Sequence, residues 1–121
     1  MLNKPPFTPP PAYFPAAWTI LYILMVFAFL IILLKPEKKI KLIAINLFFA
    51  QLFFNLIWTY LFFEIKSIEF ALIDAGILLL FVILTTVYFF KISRLAGLLM
   101  IPYILQVIFA LYLNLGIKIL N

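Results

Sequence analysis

Four long apolar runs, separated by short polar loops, dominate the sequence. They cover approximately residues 13–34, 40–63, 67–90 and 95–118. Each run has close to the roughly twenty residues that an α-helix needs to cross the hydrocarbon core of a membrane. Because the loops are short, consecutive helices are expected to pack antiparallel. The pattern predicts an all-α fold, a polytopic membrane bundle of four transmembrane helices that forms a single domain over residues 1–121.

Prolines mark the start of the chain and the last helix. Residues 1–12 are rich in proline, which favours an extended segment lying along the membrane interface. Pro15 suits the first turn of a helix, where its missing N–H does no harm. Pro102 lies inside the fourth run and is expected to kink that helix.

Composition narrows the class of protein further. The chain is 69% hydrophobic and 11% charged, which a soluble domain of this length cannot bury. It has no cysteine and no histidine, which excludes disulfides, thiolate and imidazole metal sites, and acid–base catalysis by histidine. No nucleophile–base pair is visible in the remaining residues. Neither an enzyme nor a resident cofactor is expected.

The positive charges lie in the loops. Four lysines within residues 35–41, together with Lys91 and Arg94, fall on one side of the predicted bundle. The positive-inside rule makes that side cytoplasmic, so that both termini and the second loop face outward. The net charge of +5 therefore reflects orientation in the membrane, and no nucleic-acid partner is expected.

Polar residues inside the runs are the candidates for function. In the second run, Gln51, Asn55, Trp58 and Phe62 recur at the spacing of one helix face. A buried amide without a partner is costly in hydrocarbon, so this face must meet protein or a ligand. A hydrogen bond between helices satisfies the same requirement, and both interpretations stay open from this helix alone.

Asp74 is the most informative single residue in the runs. An ionisable side chain inside a span marks a functional site by default. The alternative is a hydrated charge near a helix N-terminus, where it is favourable to the helix dipole. Lys118, at the same end of the predicted bundle, is a candidate partner.

The antiparallel arrangement places the aromatic and polar residues of all four runs at the outward end of the bundle. Such a cluster is typical of an apolar, aromatic-lined pocket for a flat small molecule. The predicted ligand-binding residues are Trp18, Tyr22, Asn55, Trp58, Phe62, Phe70, Asp74, Gln106, Phe109, Ala110, Leu113 and Asn114.

Several motifs resemble the translocator protein family, also called tryptophan-rich sensory proteins or TspO. They are Lys4-Pro-Pro-Phe-Thr-Pro-Pro, Phe14-Pro-Ala-Ala-Trp18 with Tyr22 and Met25, Gln51-Leu-Phe-Phe-Asn55-Leu-Ile-Trp58, Ala71-Leu-Ile-Asp74, Ser93-Arg94, Pro102-Tyr103, Phe109-Ala110 and Leu113-Asn114. The resemblance covers nearly the whole chain in the family's order. It implies a helical bundle, commonly dimeric, whose pocket binds porphyrins and other hydrophobic aromatic ligands. By the same resemblance, the residues in or beside that pocket are Trp18, Asn55, Trp58, Asp74, Ala110, Leu113 and Asn114.

The sequence departs from the family pattern in two ways. The family has five spans, and this chain starts in the loop after the first, so we expect four of the five helices. The first would be absent through truncation or replaced by a partner subunit or lipid. Tryptophans expected from the family fall at Phe7, Ala12 and Gln106. These substitutions weaken stacking in the pocket and the case for tryptophan-dependent photochemistry on a bound porphyrin.

Other partners and functions also follow from the sequence. Ala71 and Ala75, four residues apart, offer a small-residue face for a homodimer. Val107, Tyr112 and Lys118 fit a loose cholesterol-binding pattern, which makes a sterol a further candidate among lipid partners. Two alternatives to ligand sensing are a small dimeric transporter that uses the Asp74 carboxylate and a structural membrane subunit without a ligand.

Overall fold

The computed structural model describes residues 13–36, 39–65 and 68–120, and these form four helices. Helix α1 is Tyr13–Leu33, α2 is Lys39–Thr59 and continues as a π-helical turn over Tyr60–Ile65, α3 is Ile68–Ile92 and α4 is Arg94–Leu120. All four are long and apolar enough to cross a membrane. The predicted all-α membrane bundle is therefore confirmed. The proline-rich segment 1–12 lies outside the described residues.

Helices α1 and α2 run antiparallel and meet through long side chains. Near one end, the rings of Phe29 and Phe48 stack with centroids 4.7 Å apart. Near the other end, the rings of Trp18 and Trp58 lie 6.4 Å apart. The backbones of α1 and α2 approach each other little, and α1 packs mainly along α4. Large aromatic side chains therefore bridge the space between the first two helices.

Helix α3 packs along both α2 and α4 and occupies the middle of the bundle. Its antiparallel course relative to α2 follows from two stacked ring pairs. The rings of Phe54 and Phe81 are 5.3 Å apart, and those of Phe48 and Phe89 are 5.9 Å apart. The connection from α3 to α4 is short, and the Ser93 hydroxyl accepts a 3.3 Å hydrogen bond from the Ala96 N–H, as an N-cap of α4 does.

The buried positions recur at alternating intervals of four and three residues in every helix. This is the spacing at which helices pack side by side at a shallow angle. The repeat includes Leu21, Met25, Ala28 and Ile32 in α1; Ala44, Phe48, Gln51, Asn55 and Trp58 in α2; Ala71, Ala75, Leu78, Val82, Thr85, Phe89 and Ile92 in α3; and Ala96, Met100, Tyr103, Val107, Ala110, Asn114 and Ile117 in α4.

The interior is no more apolar than the surface. Many buried positions hold alanine, threonine or an amide, whereas large apolar side chains such as Phe53 and Leu56 point outward. Leucine and phenylalanine are as stable against lipid as against another helix, so burying them does not drive the helices together. Helices in a membrane associate instead through close backbone approach and interhelical hydrogen bonds. Ala71 and Ala75 are 0% and 1% exposed and pack inside the chain against Trp58. Their prediction as a dimer surface was therefore wrong.

Candidate ligand-binding site

Each helix contributes one aromatic or polar residue to a single layer of the bundle. Trp18 lies five residues after the start of α1, and Asp74 lies six residues after the start of α3. Trp58 lies seven residues before the end of the π-helical turn that continues α2, and Asn114 lies six residues before the end of α4. At a rise of about 1.5 Å per residue, all four lie about 8–10 Å inside the same end of the bundle. We call these four residues the tryptophan layer.

The tryptophan layer is built around the indole of Trp58. Its Nε1–H donates a hydrogen bond to Oδ1 of Asn114 at 3.1 Å, which joins α2 to α4. The side chain is only 4% exposed and packs against Ala71, Ala75 and Ala110, whose small size lets α3 and α4 approach the ring. The tilted ring of Trp18, half-buried, completes the cluster from α1.

A network of amide and phenol groups lies deeper in the bundle. The Tyr22 hydroxyl donates to Oδ1 of Asn55 at 2.6 Å, and Nδ2 of Asn55 donates to the Tyr103 hydroxyl oxygen at 2.6 Å. The Tyr103 hydroxyl in turn donates to Oε1 of Gln51 at 2.6 Å, and Nε2 of Gln51 lies 3.8 Å from the Met25 sulfur. This network holds α1, α2 and α4 together with its polar atoms paired.

The ring of Trp18 connects the tryptophan layer to this network. Its centroid lies 6.0 Å from that of Tyr22 and 6.1 Å from that of Tyr103, the latter edge-to-face at 78°. The rings of Tyr22 and Tyr103, which both bond to Asn55, therefore form one aromatic cluster with the rings of Trp18 and Trp58. Such a set offers flat faces for stacking and a few hydrogen-bonding groups at their edges.

Asp74 is buried but has no ion-pair partner among the described residues. Its side chain is 6% exposed, and its Oδ2 atom has no hydrogen-bond partner there. Burial of this depth disagrees with a hydrated charge at a helix end. Lys118, a candidate partner, instead pairs with Glu69 at 3.5 Å on the surface.

The other predicted site residues differ in how far they are buried. Gln106, Ala110 and Leu113 are buried on the inner side of α4, at and below the tryptophan layer. Phe70 is 65% exposed, and the structure does not bring it to the tryptophan layer. Phe109 is half-buried and stacks on Tyr112 at 6.2 Å. The side chain of Phe62 lies outside the described residues.

Tyr103 is a site residue that the sequence prediction missed. It is fully buried and is the centre of the amide–phenol network. A phenol in the middle of an apolar span needs a hydrogen-bond partner, and that requirement was a signal available from the sequence. Gln51 joins the same network, although the prediction treated it only as part of the α2 stripe.

The cholesterol pattern does not form one surface. Val107 is 1% exposed and belongs to the core, whereas Tyr112 is 41% exposed. A single sterol molecule lying on α4 does not contact both side chains. Val107 is therefore not available to a sterol on the outer surface of α4, and sterol binding by this protein stays a prediction.

The fold and this site define a polytopic helical membrane protein with a buried aromatic and amide-containing site at one end. The sequence profile described as TspO/MBR family matches residues 1–120. The chain belongs to the TspO/MBR family.

Individual relatives agree with this assignment. The chain is 40% identical over 121 residues to the tryptophan-rich protein TspO of Chlorobaculum tepidum, covering 99% of this chain and 77% of that protein. It is 38% identical to the tryptophan-rich sensory protein of Cereibacter sphaeroides, over 99% of this chain and 74% of that one. It is 34% identical to the translocator protein homolog of Schizosaccharomyces pombe, over 98% and 74%.

Proposed function

We propose that this protein is a membrane-embedded binding protein of sensory or regulatory type for porphyrins or other flat hydrophobic ligands. One observation carries the proposal. The two tryptophans of the chain, forty residues apart in sequence, lie with ring centroids 6.4 Å apart on the inner faces of α1 and α2. Family membership supports it, and one relative carries the name tryptophan-rich sensory protein.

The chemistry of the site suits a flat, largely apolar molecule. Indole and phenol rings stack on an extended aromatic system, and the gain from such stacking does not depend on the exact substituents. Asn55 and Asn114 place amide groups in and just below the tryptophan layer, and an amide has two N–H donors and an acceptor oxygen with which to orient a ligand. The proposed pocket lies between α1 and α2, where side chains rather than close backbone packing fill the space.

Orientation in the membrane is part of the proposal. Lys35, Lys39, Lys41, Lys91 and Arg94 lie at the end of the bundle opposite the tryptophan layer. The positive-inside rule places that end in the cytoplasm and the ligand site in the outward half. We further propose that two copies associate as a homodimer through lipid-facing surfaces, since the Ala71 face is used within the chain.

Titration with protoporphyrin IX tests the proposal, with tryptophan fluorescence as the readout. Each native tryptophan is observed alone by replacing the other, so that Trp18→Phe reports on Trp58 and Trp58→Phe reports on Trp18. Because the two rings are 6.4 Å apart, a porphyrin bound beside them quenches both reporters saturably. The measurement is made on the full chain in an uncharged detergent.

A lipid-facing reporter at the same depth separates binding from partitioning. Leu115 is 44% exposed and follows Asn114 in the chain. Leu115→Trp, made with both native tryptophans changed to phenylalanine, places an indole outside the bundle. Saturable quenching confined to the native positions supports the proposal. Equal, unsaturable quenching of all three reporters contradicts it.

A further inference from the structure

Asp74 is the one carboxylic acid among the buried side chains of the described residues, and most of the other buried polar groups there are hydrogen-bonded. In the tryptophan layer, the Trp58 indole donates a hydrogen bond to Asn114. Below that layer, the amide and phenol groups of the network are hydrogen-bonded to one another. Asp74 is only 6% exposed, yet its Oδ2 atom has no hydrogen-bond partner among the described residues. An isolated acid at this depth is costly unless a cation or hydrogen-bond donors compensate it.

Surface charges at this end of the described structure do not fill that role. Lys118 lies on α4 near the same end, but its ammonium group is 3.5 Å from Oε1 of Glu69. Both of these side chains are well exposed. Their pairing is a surface contact and leaves the buried acid on α3 uncompensated by either group.

We propose that Asp74 determines ligand specificity by binding a positively charged nitrogen on the edge of a flat aromatic ligand. The inference rests on the proposed function because it concerns the same site, and it adds a ligand class, the protonated aromatic amines. Asp74 shares its helix face with Ala71 and Ala75, both of which pack against Trp58. A ring system stacked on that indole therefore has its edge within about one helical turn of the carboxylate.

The aromatic rings favour the same ligand class. A cation held above an indole or phenol face gains energy from the ring quadrupole, and the gain grows as water is excluded. Trp18 and Trp58 provide two such faces in the layer that contains Asp74. One carboxylate and two indoles thus favour a positive charge on the ligand edge that faces Asp74 and disfavour an anionic group at that edge.

Two tricyclic probes of opposite charge test the proposal. The cationic probe is 9-aminoacridine and the anionic probe is anthracene-9-carboxylate, each competed against protoporphyrin IX on the full chain in an uncharged detergent. A charge-assisted contact predicts that the cationic probe binds about tenfold or more tightly than the anionic one. Asp74→Asn is expected to reduce that preference to less than about threefold. Glu69→Gln, which changes an exposed acid on the same helix, leaves the preference unchanged.

The outcomes separate this proposal from the proposed function. Equal or tighter binding of the anionic probe by the unmodified protein overturns the role of Asp74, and that result does not depend on whether Asp74→Asn folds. Full retention of the preference in Asp74→Asn overturns it as well. Saturable porphyrin binding in the same preparations then keeps the proposed function intact. Absence of saturable binding by all three molecules overturns the proposed function itself.

Discussion

Asn55 and Tyr103 lie forty-eight residues apart in the chain and are joined by a 2.6 Å hydrogen bond from Nδ2 to the phenol oxygen. The same phenol donates to Oε1 of Gln51, so one hydroxyl serves two amides on α2. All three side chains are fully buried or nearly so. This contact fixes the position of α4 against α2 and, through Asn55, the orientation of Tyr22 on α1.

Removal of the Tyr103 hydroxyl is expected to destabilise the bundle. In Tyr103→Phe, the Asn55 Nδ2 group and the Gln51 Oε1 atom both lose a buried partner. Hydrogen bonds between membrane helices contribute less to stability than transfer to an apolar solvent suggests. We therefore expect the free energy of unfolding to fall by about 1–2 kcal/mol. Thermal unfolding in detergent measures the effect. Tyr60→Phe is the matched control, since Tyr60 is 57% exposed, and an equal loss in both variants would contradict this account of the network.

The helices and the depth of the site were accessible from the sequence. A span must be long and apolar, and short loops force antiparallel packing, so the starts and ends of the runs fix the depth of each residue. With the π-helical turn counted as part of α2, the observed helices start within one residue of the predicted positions and end within two. Depth alone therefore predicted that Trp18, Trp58, Asp74 and Asn114 share a layer.

Which side chains point into the bundle and which point toward lipid was harder to predict. In lipid, a large aromatic side chain is stable on either face of a helix, so hydrophobicity does not indicate which face is buried. Phe70 was predicted to line the site but is exposed. Asp74 lies at the edge of the buried face of α3, and Phe70 lies beyond that edge, on the outer side of the helix. Small and polar residues are the better guide, as the buried alanines and amides of α2 and α3 show.

Contacts between distant residues set the remaining limit. Tyr103 needed a partner, but nothing local in the sequence identified Asn55 and Gln51 as that partner. Ala71 and Ala75 offered a close-packing face, yet their spacing does not say whether the neighbour is α2, α4 or another chain. The structure assigns that face to Trp58 and Ala110.

Gly97 is expected to tolerate no larger side chain without a cost in stability. A Cβ atom at this position would overlap the ring of Phe90, which crosses the backbone of α4 there. Gly97→Ala is therefore expected to lose about 1–3 kcal/mol by overpacking. Gly76→Ala is the matched change, because no heavy atom lies within 4 Å of its new Cβ. Helix propensity predicts a gain of up to about 1 kcal/mol there. Equal effects of the two changes on thermal unfolding would contradict the Phe90 contact.

Lys41 is expected to stabilise the end of α1. Its ammonium group donates 2.7 Å hydrogen bonds to the carbonyl oxygens of Leu33 and Lys35, which the end of the helix leaves without partners. Lys41→Met is expected to cost about 0.3–1 kcal/mol and to speed hydrogen exchange at the Leu34 and Lys35 amides. Lys39→Met, which removes an exposed cation two residues away, serves as the control. Unchanged exchange in Lys41→Met would show that the cap contributes nothing measurable.

Trp58→Phe tests whether the indole that organises the tryptophan layer also serves the ligand. The change keeps an aromatic ring between Ala71, Ala75 and Ala110 but removes the N–H that bonds to Asn114. Loss of stacking area and of a fixed ring orientation is expected to weaken porphyrin binding by about three- to tenfold. Porphyrin absorbance gives the affinity independently of the removed fluorophore. Phe53→Leu, on the lipid-facing side of the same helix, should bind porphyrin as tightly as the unmodified protein. A loss of affinity in Phe53→Leu as large as that in Trp58→Phe would instead place the porphyrin on the outer surface of the bundle.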